Sequence, residues 1–231
     1  MGSKEFKALL TLQIITLIVV LFILFANLKT DNTGSSDEVQ KGGEIEQKVT
    51  IGSNKNYVYG DTTANNFLMV FSRYNCDFCR KFYSTTFDTI VSELAKKGKL
   101  KIICKDLIGP EDVKGMLMAK VAEVARQTGN FEAVHKLLCM GPEPTDSVQI
   151  IEMGLKGGIP SNELAARLNA QPTLEKLRRD YEDAKKLGIE MTPSFVLNGQ
   201  VQVGYIYYSD LLNKLGLSEE PTDKSCNIKN N

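Results

Sequence analysis

The stretch that most constrains this chain is NNFLMVFSRYNCDFCRKF, residues 65–82, in which an apolar run of strand length leads straight into two cysteines spaced C-x-x-C. The run reads as a short buried strand at the centre of a sheet. The next segment, CDFCRKFYSTTFDTIVSELAKKGK, has Phe78, Phe82, Ile90, Val91 and Leu94 in helical register, which places Cys76 at a helix N-terminus. KLKIICKDL is the next strand, and strand, helix, strand at this spacing predicts a right-handed parallel crossover.

C-x-x-C by itself is compatible with half a zinc site, a structural disulfide or a redox dithiol. Zinc needs two more ligands from Cys104, Cys139, Cys226 and the single His135, and these form neither a second C-x-x-C nor an H-x-x-x-H. No metal site is expected. A purely structural disulfide would close a very small loop and constrain the unfolded chain little. A redox role has a direct physical basis, because free backbone N–H groups and the helix dipole at a helix N-terminus favour thiolate over thiol. Such positions lower a cysteine pKa from about 8.5 to roughly 3.5–7.5. Cys76 is then the attacking and leaving sulfur, and Cys79, one turn further on the same helical face, the resolving thiol.

The chain has 231 residues with 28 Lys plus Arg and 28 Asp plus Glu, so its formal net charge is zero. That balance points away from a nucleic-acid or polyanion partner. Near the N-terminus, Lys4 and Lys7 precede an almost unbroken apolar run from Ala8 to Ala26, close to the ~20 residues that span a bilayer. It exceeds the apolar core of a cleaved signal, and LFANLK is a poor cleavage site. Residues 1–28 are therefore read as a cytoplasmic tip and uncleaved signal-anchor transmembrane helix, with the remainder outside the cytoplasm. Disulfides persist in such a compartment.

Residues 29–56 read as a polar tether, 57–217 as the folded domain and 218–231 as a polar tail. Within the domain, about 107–188 reads as a helical insertion, its segments separated by Gly, Pro or capping residues. The chain then returns to strands in PSFVLNGQVQVGY, where Asn198-Gly199 is a two-residue hairpin signal, and YSDLLNKLG closes the fold as a helix.

FSRYNCDFCRKF resembles the active-site strand and helix of DsbA-like thiol:disulfide oxidoreductases of the thioredoxin superfamily, and LGIEMTPSFVLNGQVQVGY resembles their cis-proline strand and hairpin. The resemblance covers roughly residues 57–217. It implies an α/β thioredoxin fold with an inserted helical domain, here preceded by the transmembrane helix, and a catalytic pair Cys76 and Cys79. It also implies a cis-proline pair, Thr192-Pro193, that presents backbone to a substrate strand. Read on its own, Pro193 could instead simply begin an edge strand. The Asp77-Phe78 dipeptide stands where the best-known family members have Pro-His, and it would tune the redox potential. A carboxylate at Asp77 disfavours the neighbouring thiolate, although the helix dipole offsets part of that.

The implied activity is that of an extracytoplasmic enzyme, anchored in the bacterial inner membrane, that introduces or exchanges disulfides in secreted polypeptides with no cofactor beyond its redox-active disulfide. A DsbB-like membrane oxidase is the implied partner for reoxidation. The alternatives are a disulfide reductase or isomerase, or a non-enzymatic anchored peptide- or metal-binding module. Cys104 and Cys139 are expected to form a second, structural disulfide, with Cys226 left in the tail; the opposing reading makes both small buried hydrophobes. His135 reads as structural or surface rather than acid–base. Lys105 and Asp106 read as a solvated strand end, with proton transfer to the resolving thiol as the alternative. Tyr205, Tyr207 and Tyr208 could line a peptide groove or pack under the last helix.

Overall fold

The structure, a computed structural model, describes residues 57–218. The expected transmembrane helix, the whole tether and all but the first residue of the tail lie outside the described residues, and among those described no helix is long and apolar enough to cross a membrane. Strands β1 (Val58–Tyr59), β2 (Asn66–Ser72), β3 (Leu100–Asp106), β4 (Ser194–Leu197) and β5 (Gln200–Val203) form one sheet in the order β1-β3-β2-β4-β5. β2 and β3 pair in parallel, joined by the expected crossover, and the other pairings are antiparallel.

β2 is apolar throughout because both of its faces are covered, as a central strand requires. Leu68 and Val70 belong to the larger core with Ile102, Phe195 and helices on one face. Met69 and Phe71 belong to a smaller core with Ile103, Val196 and Ala184 on the other.

The crossover helix begins as α1 (Asp77–Phe82), passes through a π-helical segment (Tyr83–Phe87) and α2 (Asp88–Ile90), and ends in a second π-helical segment (Val91–Ala95). Phe82, Ile90 and Leu94 are buried as their register predicts, whereas Phe78 is 61% exposed. Phe78 sits in the first turn, before the helix has passed over the core, so no neighbouring element covers it.

The insertion supplies α3 (Val113–Thr128), α4 (Phe131–Met140), α5 (Ser147–Lys156), α6 (Ser161–Arg167) and α7 (Gln171–Lys186). It shares the larger core with the sheet, since Met118, Val121, Val134, Leu138 and Ile150 cluster with Leu68 and Phe195. α7 contributes Ala184 to the core on the opposite face. β4 and β5 are joined through Asn198 and Gly199, whose φ values of 47° and 97° are the left-handed pair that a type I′ hairpin demands. α8 (Tyr208–Leu215) closes the chain by burying Leu211 and Leu215.

Lys105 and Asp106 do not form a solvated strand end: both are buried, at 5% and 2% exposure. Lys105 pairs with Asp180 at 3.1 Å and with Asp183 at 2.8 Å, while Asp106 accepts from Arg126 at 2.9 Å. Arg126 also pairs with Glu123 and lies over the Phe131 ring. Burying such charges is tolerable only when each meets a partner, so this network fixes α3 and α7 at the end of β3.

Candidate active site

Cys76 occupies the N-cap position of α1 in extended conformation, with φ −108° and ψ 119°. Its carbonyl accepts the first helical hydrogen bond from the Arg80 N–H, and its side chain is half-buried. The local sequence produces this geometry. β2 ends at Ser72, three residues cross the end of the sheet, and α1 starts with Asp77 in its first turn, where a carboxylate suits the helix dipole.

The Cys76 thiol donates to the backbone carbonyl of Thr192 at 3.5 Å, so two motifs 116 residues apart in sequence meet at one point. The Thr192-Pro193 peptide bond is cis, and Pro193 directly precedes β4 rather than starting an edge strand. β4 lies between β2 and β5, which carries the Thr192 loop to the same end of the sheet as Cys76.

The two thiols differ sharply. The Cys79 thiol donates to Cys76 and lowers its pKa to about 5, against burial, with further help from the Thr192 side chain and the backbone N–H groups of Cys79 and Phe78. Cys79 is fully buried, and donating to Cys76 together with burial raises its own pKa far above the usual range. The site can therefore hold one stable thiolate at neutral pH, and its geometry assigns that charge to Cys76. Both sulfurs are free thiols in this structure.

Asp77 and Phe78 are exposed beside the pair. Cys104 and Cys139 are also free thiols, so the expected bridge between them is absent. Each has its own buried surroundings: the Tyr83 hydroxyl donates to Cys104 at 3.8 Å, and Cys139 lies 3.6 Å from a His135 ring nitrogen. His135 is a core residue, bonded to the Tyr74 hydroxyl at 3.0 Å, and burial lowers its pKa to about 3 so that it stays neutral. Tyr205 is tied to Thr85 and Thr86, Tyr207 is 61% exposed and Tyr208 packs against the core. Among the described residues no group of three His, Cys, Asp or Glu side chains is arranged to hold a metal ion.

Several residues at the site escape a motif-based reading. Arg80, next to Cys79, donates to the carbonyls of Leu138 (2.8 Å) and Gly141 at the end of α4. Arg73, Asn75 and Asp112 meet beside Cys76. Asp112 could have been found as an N-cap residue ahead of the helical pattern. The other three carry no local signal, because their partners are distant in sequence.

The family model described as Thioredoxin matches residues 53–214, and the chain belongs to that family. Among solved structures it is similar to a thioredoxin-like oxidoreductase from Silicibacter pomeroyi DSS-3, with a TM-score of 0.64 and 21% identity over 70% of this chain and 91% of that one. It is also similar to the catalytic domain of Proteus mirabilis ScsC, with a TM-score of 0.61 and 20% identity over 71% and 90% of the two chains. BdbD from Bacillus subtilis, in its oxidised form, gives a TM-score of 0.61 and 19% identity over 70% and 94%. Identities at this level establish a shared thioredoxin-like fold with a helical insertion. No curated protein sequence matches the chain.

Proposed function

We propose that this protein is a thiol:disulfide oxidoreductase that works through Cys76 and Cys79 and donates disulfides to polypeptides outside the cytoplasm. The observation that carries this reading is the asymmetry of the pair: a half-exposed Cys76 with its pKa lowered to about 5, backed by a buried Cys79 that keeps its proton. A thiolate that is stable at neutral pH is a good leaving group, and this favours donation over reduction.

In the oxidised protein Cys76 and Cys79 are joined. A substrate thiolate attacks the Cys76 sulfur, the Cys76–Cys79 bond breaks, and Cys79 leaves and takes up a proton. A second substrate thiolate then attacks the substrate sulfur of the mixed disulfide, forming the substrate disulfide and releasing Cys76 as thiolate. The substrate loses two electrons and the protein gains them. A quinone-linked membrane oxidase of the DsbB type would return the pair to the disulfide.

Thr192, at the cis-proline, presents its carbonyl beside Cys76 and suits pairing with an extended substrate backbone. Phe78 and Met191, each more than 60% exposed and each one or two residues from a site residue, offer apolar contacts of the kind an unfolded polypeptide presents. The apolar N-terminal run would hold the domain at the outer face of the inner membrane. Oxidative refolding of a reduced, denatured disulfide protein by the oxidised enzyme tests the reading, with Cys76→Ser as control. A redox potential of the Cys76–Cys79 couple near −120 mV would match a donor, and one near −270 mV a reductant.

A further inference from the structure

Asp112 does three things at once. It caps α3, its Oδ1 accepting from the Gly115 N–H at 2.8 Å. It accepts from the Asn75 side-chain amide at 2.9 and 3.0 Å, and Asn75 immediately precedes Cys76. It also lies 3.9 Å from the Arg73 guanidinium, whose Nε donates to the Thr192 hydroxyl oxygen at 3.3 Å. One carboxylate on the insertion thus holds the segment leading into the C-x-x-C and, through Arg73, the loop that carries the cis-proline.

We propose that Asp112 and Arg73 are positioning residues of the redox centre, a clasp by which the first helix of the insertion orients the Thr192 hydroxyl and the Asn75–Cys76 turn toward the reactive sulfur. The chemistry lies in the single proton of the Thr192 hydroxyl. When Oγ1 accepts from Arg73, its lone pair is engaged and its O–H is free to donate elsewhere. Thr192 meets Cys76 directly, its backbone carbonyl lying 3.5 Å from the sulfur, and its side chain lowers the pKa of both cysteines. The charged groups at this end of the sheet include Arg73 on the segment leaving β2, Asp112 on the insertion, and the exposed Asp77 and the carbonyl-bound Arg80 on α1. Freeing Arg73 from its carboxylate would by itself add positive charge beside the site and lower the Cys76 pKa. Positioning predicts the opposite sign, because the donation from Thr192 is lost. The two effects are therefore separable.

This inference rests on the redox reading of the site, yet its test does not need turnover. The reduced full-length protein is alkylated with iodoacetamide across pH, and the midpoint of Cys76 labelling is read for a graded series. Asp112→Ser keeps an N-cap oxygen but is too short to reach Asn75 or Arg73. Asp112→Asn keeps the Oδ1 contacts and loses the charge toward Arg73. The midpoint should rise by about half a pH unit or more in the Ser variant, the scale of a weakened hydrogen bond to a charged group, and by less in the Asn variant. Thermal unfolding should stay close to that of the parent. Arg73→Met should raise the midpoint as well, and combining it with Asp112→Ser should add little, because both act through the same hydroxyl. An unchanged or lowered midpoint, or strictly additive shifts, would overturn the proposal. If Asp112→Ser does not fold, the sign of the Asp112→Asn shift decides it, because loss of a negative charge beside Cys76 would by itself lower the midpoint. Disulfide exchange by the parent is measured in parallel: its absence ends the functional reading, whereas the midpoints bear on the clasp alone.

Discussion

Cys76 with Cys79 and Cys104 with Cys139 are two pairs of the same residue in one domain, and only the first is built for reaction. Cys76 meets donors from every side that matters: the Cys79 thiol, the Thr192 side chain and the N–H groups at the open end of α1. Its charge is stabilised even though it is half-buried. Cys104 and Cys139 lie in the larger core, and burial pushes Cys104 up to about 12 and Cys139 well above its ordinary value. A thiol's reactivity is thus set by which groups face it once it is charged, and burial without donors silences it.

The most severe way to test this contrast is deletion. Cys76→Ser should reduce disulfide exchange to the uncatalysed background, while Cys104→Ala and Cys139→Ala keep rates close to the parent's in an insulin reduction or refolding assay. A comparable loss in a core variant would dissolve the distinction.

Labelling sharpens it. At pH 7 the Cys76 thiolate should exceed that of Cys104 on the order of 10⁵-fold, given pKa values near 5 and 12. Of the four cysteines of the folded domain, iodoacetamide should mark Cys76 alone in the native reduced protein, with Cys104 and Cys139 reacting only in denaturant, as read by peptide mass spectrometry.

The two environments should also give stability opposite pH slopes. Between about pH 5 and 8.5 the unfolded chain keeps the Cys76 proton and the folded chain does not, so the stability of the reduced protein rises with pH across that window. The contribution is complete above about 8.5 and lost as pH falls through 5. Cys104 acts in the other direction: its contribution is intact below about 8.5 and is lost as pH climbs toward 12. His135, held near 3, adds a slope of the same sign as Cys76 between about pH 3 and 6.5. Denaturant unfolding of the parent minus that of Cys76→Ser removes the histidine from the comparison. A difference that does not change with pH would contradict the acidic thiol.

The smallest effect expected is on packing. Cys104→Ala and Cys139→Ala should each cost about 1–2 kcal/mol, as removal of a small buried group does, and should leave the Cys76 labelling midpoint where it is. A much larger loss under oxidising conditions than under reducing ones would indicate that a bridge between them forms after all.

Much of the framework around the site was legible because its signals are local. An apolar run that must be covered on both faces gives β2, and Asn198-Gly199 supplies the two left-handed residues of the hairpin. Cys76 stands where the helical pattern begins. Phe78 fits that pattern too, yet it is exposed, since periodicity records which face a residue occupies and not how far the covering core extends.

Lys105 and Asp106 show the limit more sharply. Two adjacent charges at the end of a strand read as solvated, and nothing within ten residues on either side identifies Asp180 or Asp183, which stand on a helix more than seventy positions away. Cys104 and Cys139 remain thiols, although counting residues paired them, because pairing depends on where two side chains point.

The sequence by itself determined the order of strands and helices from β2 onward, though not the two-residue β1, and the position of Cys76 at a helix N-terminus, since backbone propensity and hydrophobic period act over a few residues. The tertiary structure alone decided that Thr192 stands 3.5 Å from Cys76, that Arg80 reaches the end of α4 and that Asp112 holds Asn75. A hydrogen bond or ion pair has a range of only a few ångströms, so groups far apart in sequence can set a cysteine's charge only after the core has brought them within that reach.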